Sequence, residues 1–131
     1  RAITFSAVGT AGQRCTTLRR LFVHDSVYDQ LIPRLKKIYA GLLVGNPLSE
    51  GTLVGPLVDQ AAFDAMQTAL AAAQQDDGKV EGGERVMVAG CENGYYVRPS
   101  LVEMPSQTAT MHHETFAPIM YIVRYSDLQQ A

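Results

Sequence analysis

The chain has 131 residues, 47% hydrophobic, 18% charged and 8% aromatic, with 11 Lys and Arg against 13 Asp and Glu. This composition excludes low-complexity disorder, and one domain of such length buries roughly two-thirds of its unfolded surface. A net charge of −2 gives no basic footprint for nucleic acid, and two cysteines, Cys15 and Cys91, make neither a disulfide framework nor a four-thiolate zinc site.

The chain opens on Arg1-Ala2-Ile3 without an initiator methionine and ends at Gln130-Ala131, where a new helix is starting, so it is expected to be a fragment. A charged segment leading into an apolar signal stretch is missing, and no apolar run is long enough to span a bilayer. Residues 1–11, small and apolar, predict a buried helix end broken near Gly9 and Gly12. Residues 12–17 predict a tight connection, and 18–24, with Leu21, Phe22 and Val23, a buried strand.

His24, Asp25 and Ser26 offer caps for an amphipathic helix whose stripe is Val27, Leu31, Leu35, Ile38 and Leu42. Pro33 lies inside that pattern, where a straight helix loses a backbone bond at about 3 kcal/mol, so a kink or a later start is expected. Gly45-Asn46-Pro47 is the expected stop. A Gly/Pro-punctuated loop over 49–58 precedes a second helix over 59–76, with Phe63, Met66, Leu70 and Ala73 inward. Residues 79–83 predict a short strand entering a glycine turn, and 84–94 an excursion holding Cys91. Residues 95–103 predict a strand with Pro99 at an edge or bend, 105–113 a loop or single helical turn, and 119–125 an apolar strand. Strands separated by long helices define an α/β fold with a partly parallel sheet.

Cys15 is the candidate nucleophile. It sits in a Gly-containing bend where backbone amides can converge on a reacting oxygen, and Arg14, Arg19 and Arg20 nearby would favour a thiolate. Taken alone, the same residue also fits a small buried hydrophobe, or one half of a hydrolytic or redox thiol pair with His24. A third alternative is a non-catalytic interaction module. His112-His113-Glu114 suggests metal ligands, but adjacent side chains on extended backbone point oppositely and no third ligand has suitable spacing, so no metal is expected. Cys91, in a glycine-flanked loop, is expected to be exposed and without catalytic duty.

Gly12-Gln13-Arg14-Cys15-Thr16-Thr17 resembles the cysteine motif of the aldehyde dehydrogenase superfamily, and Glu114-Thr115-Phe116-Ala117-Pro118 resembles its second signature. Gly45-Asn46-Pro47, Gly55-Pro56 and Gly82-Gly83 fall between them in the family's order, and with Arg19-Arg20 the set most resembles the antiquitin-like branch, which oxidises α-aminoadipic semialdehyde in lysine breakdown. The resemblance covers the whole chain. It implies part of a three-layer αβα catalytic domain over residues 1–131, in which Cys15 attacks an aldehyde and its backbone N–H holds the resulting alkoxide. It further implies that Glu114 and Phe116 contact NAD or NADP, and that Arg14 and Thr16 meet a carboxylate-bearing substrate. The whole enzyme is then a cytoplasmic homo-oligomer acting on a small-molecule aldehyde. The family's nucleotide-binding domain and general-base glutamate precede the nucleophile, and neither is found in these residues, so the chain by itself is expected to be inactive.

Overall fold

The computed structural model describes residues 1–131 apart from the side chain of Gln130. Helix α1 (Ala2–Val8) runs into a left-handed turn over Gly9–Gly12, then the irregular segment that carries Cys15 leads to strand β1 (Arg20–His24). Helices α2 (Asp25–Ala40) and α3 (Gln60–Gln75) follow, then β2 (Lys79–Glu81), β3 (Arg85–Val86), β4 (Tyr96–Val97), β5 (Ser100–Met104), the single turn α4 (Ala109–His112) and β6 (Ile119–Tyr125).

The main sheet has the order β1-β6-β5-β2, with β1 and β5 parallel to β6 and β2 antiparallel to β5; β3 and β4 form a separate hairpin-like pair. The α/β class with a partly parallel sheet is as the sequence predicts. In β6, residues 119–123 are all buried, because a central parallel strand is covered on both faces and needs no polar alternation. Side chains on β5 alternate between the faces. Glu103 bonds to Tyr28 and Lys36 of α2, whereas Met104 lies where Gly78 closes the end of α3, so α2 and α3 sit on opposite faces of the sheet. Helix, sheet and helix make three layers.

Four features, one of them the buried face of a helix, differ from the sequence expectation. Helix α2 begins at Asp25 and continues through Pro33 without a later start, since His24 caps it by accepting from the Ser26 backbone N–H. Its buried face is Ile32, Leu35 and Tyr39, while Val27 and Ile38 are exposed, so the stripe is rotated from the predicted one. It stops at Gly41 rather than at Gly45-Asn46-Pro47, whose Asn46 instead turns the following loop by accepting from Leu48 N–H at 2.9 Å. The predicted single strand over 95–103 is two strands, because Pro99 and its flanking Arg98 turn the chain between β4 and β5. Helix α3 fits its prediction, with Asp59 as N-cap accepting from Ala62 N–H at 2.8 Å and Met66, Leu70 and Ala73 buried.

Candidate active site

The turn that carries Cys15 is built from its neighbours. Arg14 N–H donates to Thr17 Oγ1 at 3.2 Å and Thr17 N–H to the Arg14 carbonyl at 3.1 Å, closing residues 14–17 around the thiol. Leu18 N–H donates to the Ser6 carbonyl at 3.0 Å, tying the far side of the turn to α1. Before it, Thr10, Ala11 and Gly12 all have left-handed backbone, with φ of 54°, 52° and 70°. A left-handed β-branched threonine is strained, and such strain persists only where surroundings impose it. Here they do: Gln13 donates to the Thr10 and Pro56 carbonyls, both at 3.2 Å, and accepts from Val58 N–H at 2.8 Å, so loop 49–58 grips the base of the turn.

Cys15 is exposed, which overturns its reading as a small buried hydrophobe. Cys91 is half-buried rather than exposed, in the turn before β4. Cys15, Thr16 and Arg19 line an open cavity of about 670 Å³ together with Glu114, which the parallel pairing of β1 with β6 brings from the other end of the chain. Glu114 also borders a second cavity, of about 340 Å³, between Phe116 and the small-residue face of α3 formed by Ala65, Ala69 and Ala72. Phe116 is 44% exposed beside that groove. Arg14 lies exposed on the turn and lines neither cavity; its main-chain groups shape the turn.

Two residues central to this architecture were not singled out as site residues by the sequence. One is Gln13; the other is Arg19. The Arg19 guanidinium donates to the carbonyls of Gly12 at 3.2 Å, Arg14 at 3.1 Å and Thr115 at 2.6 Å, lies 3.4 Å from Glu114 Oε1 and stands 4.9 Å over the Phe116 ring. No local pattern announces contacts that span the chain. The place of Gln13 within the cysteine motif and of Arg19 just after it is the only available signal.

His24 is occupied elsewhere. Its Nδ1 lies 2.9 Å from Ser26 Oγ and caps α2, and its ring meets Tyr125 edge-on at 5.3 Å. It ends β1, about 13 Å of strand beyond Arg20, so no Cys15–His24 pair is assembled. Among the described residues, no group of three or more His, Cys, Asp or Glu gathers as metal ligands, and no helix is long and apolar enough to cross a membrane.

An exposed thiol on a strained turn thus shares one cavity with Glu114, and Phe116 borders the neighbouring one. The profile of the aldehyde dehydrogenase family matches residues 1–131, and the chain belongs to that family. It is 42% identical over 131 residues to aldehyde dehydrogenase family 7 member A1 of Pisum sativum, covering all of this chain and 25% of that protein. It is 44% identical over 124 residues to the α-aminoadipic semialdehyde dehydrogenase of Bos taurus, covering 94% of this chain and 22% of that one. Lactaldehyde dehydrogenase from Escherichia coli superposes with a TM-score of 0.87 at 32% identity, over 98% of this chain and 27% of that structure. A 3,6-anhydro-L-galactose dehydrogenase in complex with NAP superposes at 0.90 with 26% identity, over 98% and 27%. The chain thus spans about a quarter of the length of the relatives it matches.

Proposed function

We propose that these residues are the nucleophile-bearing part of the catalytic domain of an NAD(P)-dependent aldehyde dehydrogenase acting on a carboxylate-bearing semialdehyde of the α-aminoadipic type. What supports this most directly is that Cys15 and Glu114, each in its family signature, line one cavity. The Cys15 thiolate adds to the aldehyde carbon, giving a thiohemiacetal whose alkoxide is held by the Cys15 N–H. A nicotinamide cofactor, when bound, supplies a hydride acceptor. Oxidation leaves the acyl group on Cys15 as a thioester, and hydrolysis releases the acid. The chain's own residues fit such a cofactor: Phe116, backed by Arg19, is half-exposed beside the α3 groove, and the exposed Glu114 carboxylate can accept hydrogen bonds from sugar hydroxyls at its mouth.

Thr16 lines the Cys15 cavity and would meet the substrate there. Arg14, exposed at the edge of the turn, would pair with the substrate carboxylate. Glu114 is the one carboxylate lining the Cys15 cavity among the described residues, and Arg19 holds it, so the base for thioester hydrolysis comes from outside this chain. Assembly as a homo-oligomer in the cytoplasm belongs to the same proposal, and Leu48 and Val58, 93% and 81% exposed, offer apolar surface for further protein to cover. The natural polypeptide given α-aminoadipic semialdehyde and NAD should form NADH, and Cys15→Ala should bring the rate to background. Residues 1–131 assayed alone should form none. Activity in the isolated chain, or in Cys15→Ala, would overturn the proposal.

A further inference from the structure

We infer that Arg19 is a positioning residue that primes the alkoxide-binding N–H of Cys15. The Arg14 carbonyl, to which Arg19 donates at 3.1 Å, belongs to the same peptide group as the Cys15 N–H. A cation hydrogen-bonded to a peptide oxygen draws electron density toward that oxygen, which makes the N–H at the other end of the group a stronger donor. The group is also fixed in direction, because the same guanidinium nitrogen donates to the Gly12 carbonyl at 3.2 Å, and Arg14 N–H is held by Thr17 Oγ1 at 3.2 Å. The other edge of the fork is anchored on the Thr115 carbonyl at 2.6 Å, and the face of the guanidinium lies on Phe116. The Arg19 side chain is only 17% exposed, so the guanidinium that makes these bonds is held in place by the protein around it. Lysine cannot reproduce it: a single ammonium has no planar fork to reach carbonyls on two segments at once.

The inference rests on the proposed thiol addition to an aldehyde and makes a demand that simple packing does not. Attack of Cys15 on an aldehyde builds an oxyanion, whereas its alkylation by iodoacetamide displaces iodide without one. Both rates are to be measured in the natural polypeptide, for wild type, Arg19→Lys and Arg19→Gln, with circular dichroism melts alongside. The expected result is a fall of roughly tenfold or more in the pre-steady-state aldehyde rate in both variants, a share of what a whole oxyanion donor supplies. The iodoacetamide rate should stay within about twofold of wild type, and kcat should fall more than KM for the aldehyde rises. A parallel fall of both rates would overturn the inference, as would an unchanged aldehyde rate. Should Arg19→Gln fail to fold, Arg19→Lys, which keeps the charge, decides by the same comparison. A wild-type protein that alkylates but never consumes aldehyde refutes the proposed function instead, which keeps the two failures distinct.

Discussion

Gly12 has no room for a side chain. A Cβ there would stand 2.3 Å from the Ala117 carbonyl oxygen and 2.6 Å from Pro118 N, and its φ of 70° is already left-handed. Both obstacles are backbone, which cannot swing aside as a side chain can. Gly12→Ala should therefore cost at least about 2 kcal/mol in urea unfolding, and it should also separate the Cys15 turn from the Glu114 segment, abolishing turnover in the natural polypeptide. Thr10, two residues earlier, is the opposite case. Its φ of 54° is strained for threonine, so Thr10→Gly relieves about 1–2 kcal/mol and loses up to about 1 kcal/mol to the freer unfolded chain. The net change should run from neutral to about 2 kcal/mol stabilising by the same measurement. A Gly12→Ala chain as stable as wild type would show that the two loops do not need their close approach.

Across the sheet from α3, α2 is fastened to β2 and β5 by charge. Lys36 bonds to Glu103 at 2.8 Å and also to Glu81, and the Tyr28 hydroxyl donates to Glu103 at 2.6 Å. Burial pushes the Glu103 carboxyl up, but bonds from Lys36 and Tyr28 outweigh it and hold the group below the usual glutamate range. Glu103 and Glu81 hold Lys36 above the usual lysine range. A lowered carboxylate stabilises the fold above its unfolded value, and that contribution is lost as pH falls from the ordinary glutamate value through the lower folded one. For Lys36 the sign reverses: its contribution is present below the ordinary lysine value and lost only as pH rises beyond about 10. Thermal melts should therefore show wild type losing stability in acid more steeply than Glu103→Gln, and the variant less stable by about 1 kcal/mol at neutral pH. Parallel pH profiles for the two proteins would exclude this network as a source of acid sensitivity.

At the scale of the whole molecule, the sheet was legible in the sequence, and the long-range contacts around Cys15 were not. The apolar run of β6 and the Asp59 cap of α3 are local signals, and local physics reproduces them. The face of α2 was misjudged because periodicity alone allows neighbouring registers, and the choice falls to Ile32, Leu35 and Tyr39, the residues packed into the core. Cys15, Glu114 and Phe116 stand out in the sequence only through the words around them. Gln13 and Arg19 act on carbonyls at Pro56 and Thr115, and backbone acceptors leave no trace in a residue pattern.

The pairing of Arg20 with Tyr121 also governs when the site can exist. Parallel strands so distant in sequence close a long loop, and that closure must precede the contacts that reward it. During synthesis, the Cys15 turn leaves the ribosome ahead of β6 and waits without its platform until the chain through Tyr125 has emerged. Throughout that interval the turn lacks the Thr115 carbonyl that anchors Arg19 and the Ala117 backbone that Gly12 packs on, so a nascent chain halted before residue 119 should be cut readily by protease around residues 10–17, and chains that include β6 should resist there.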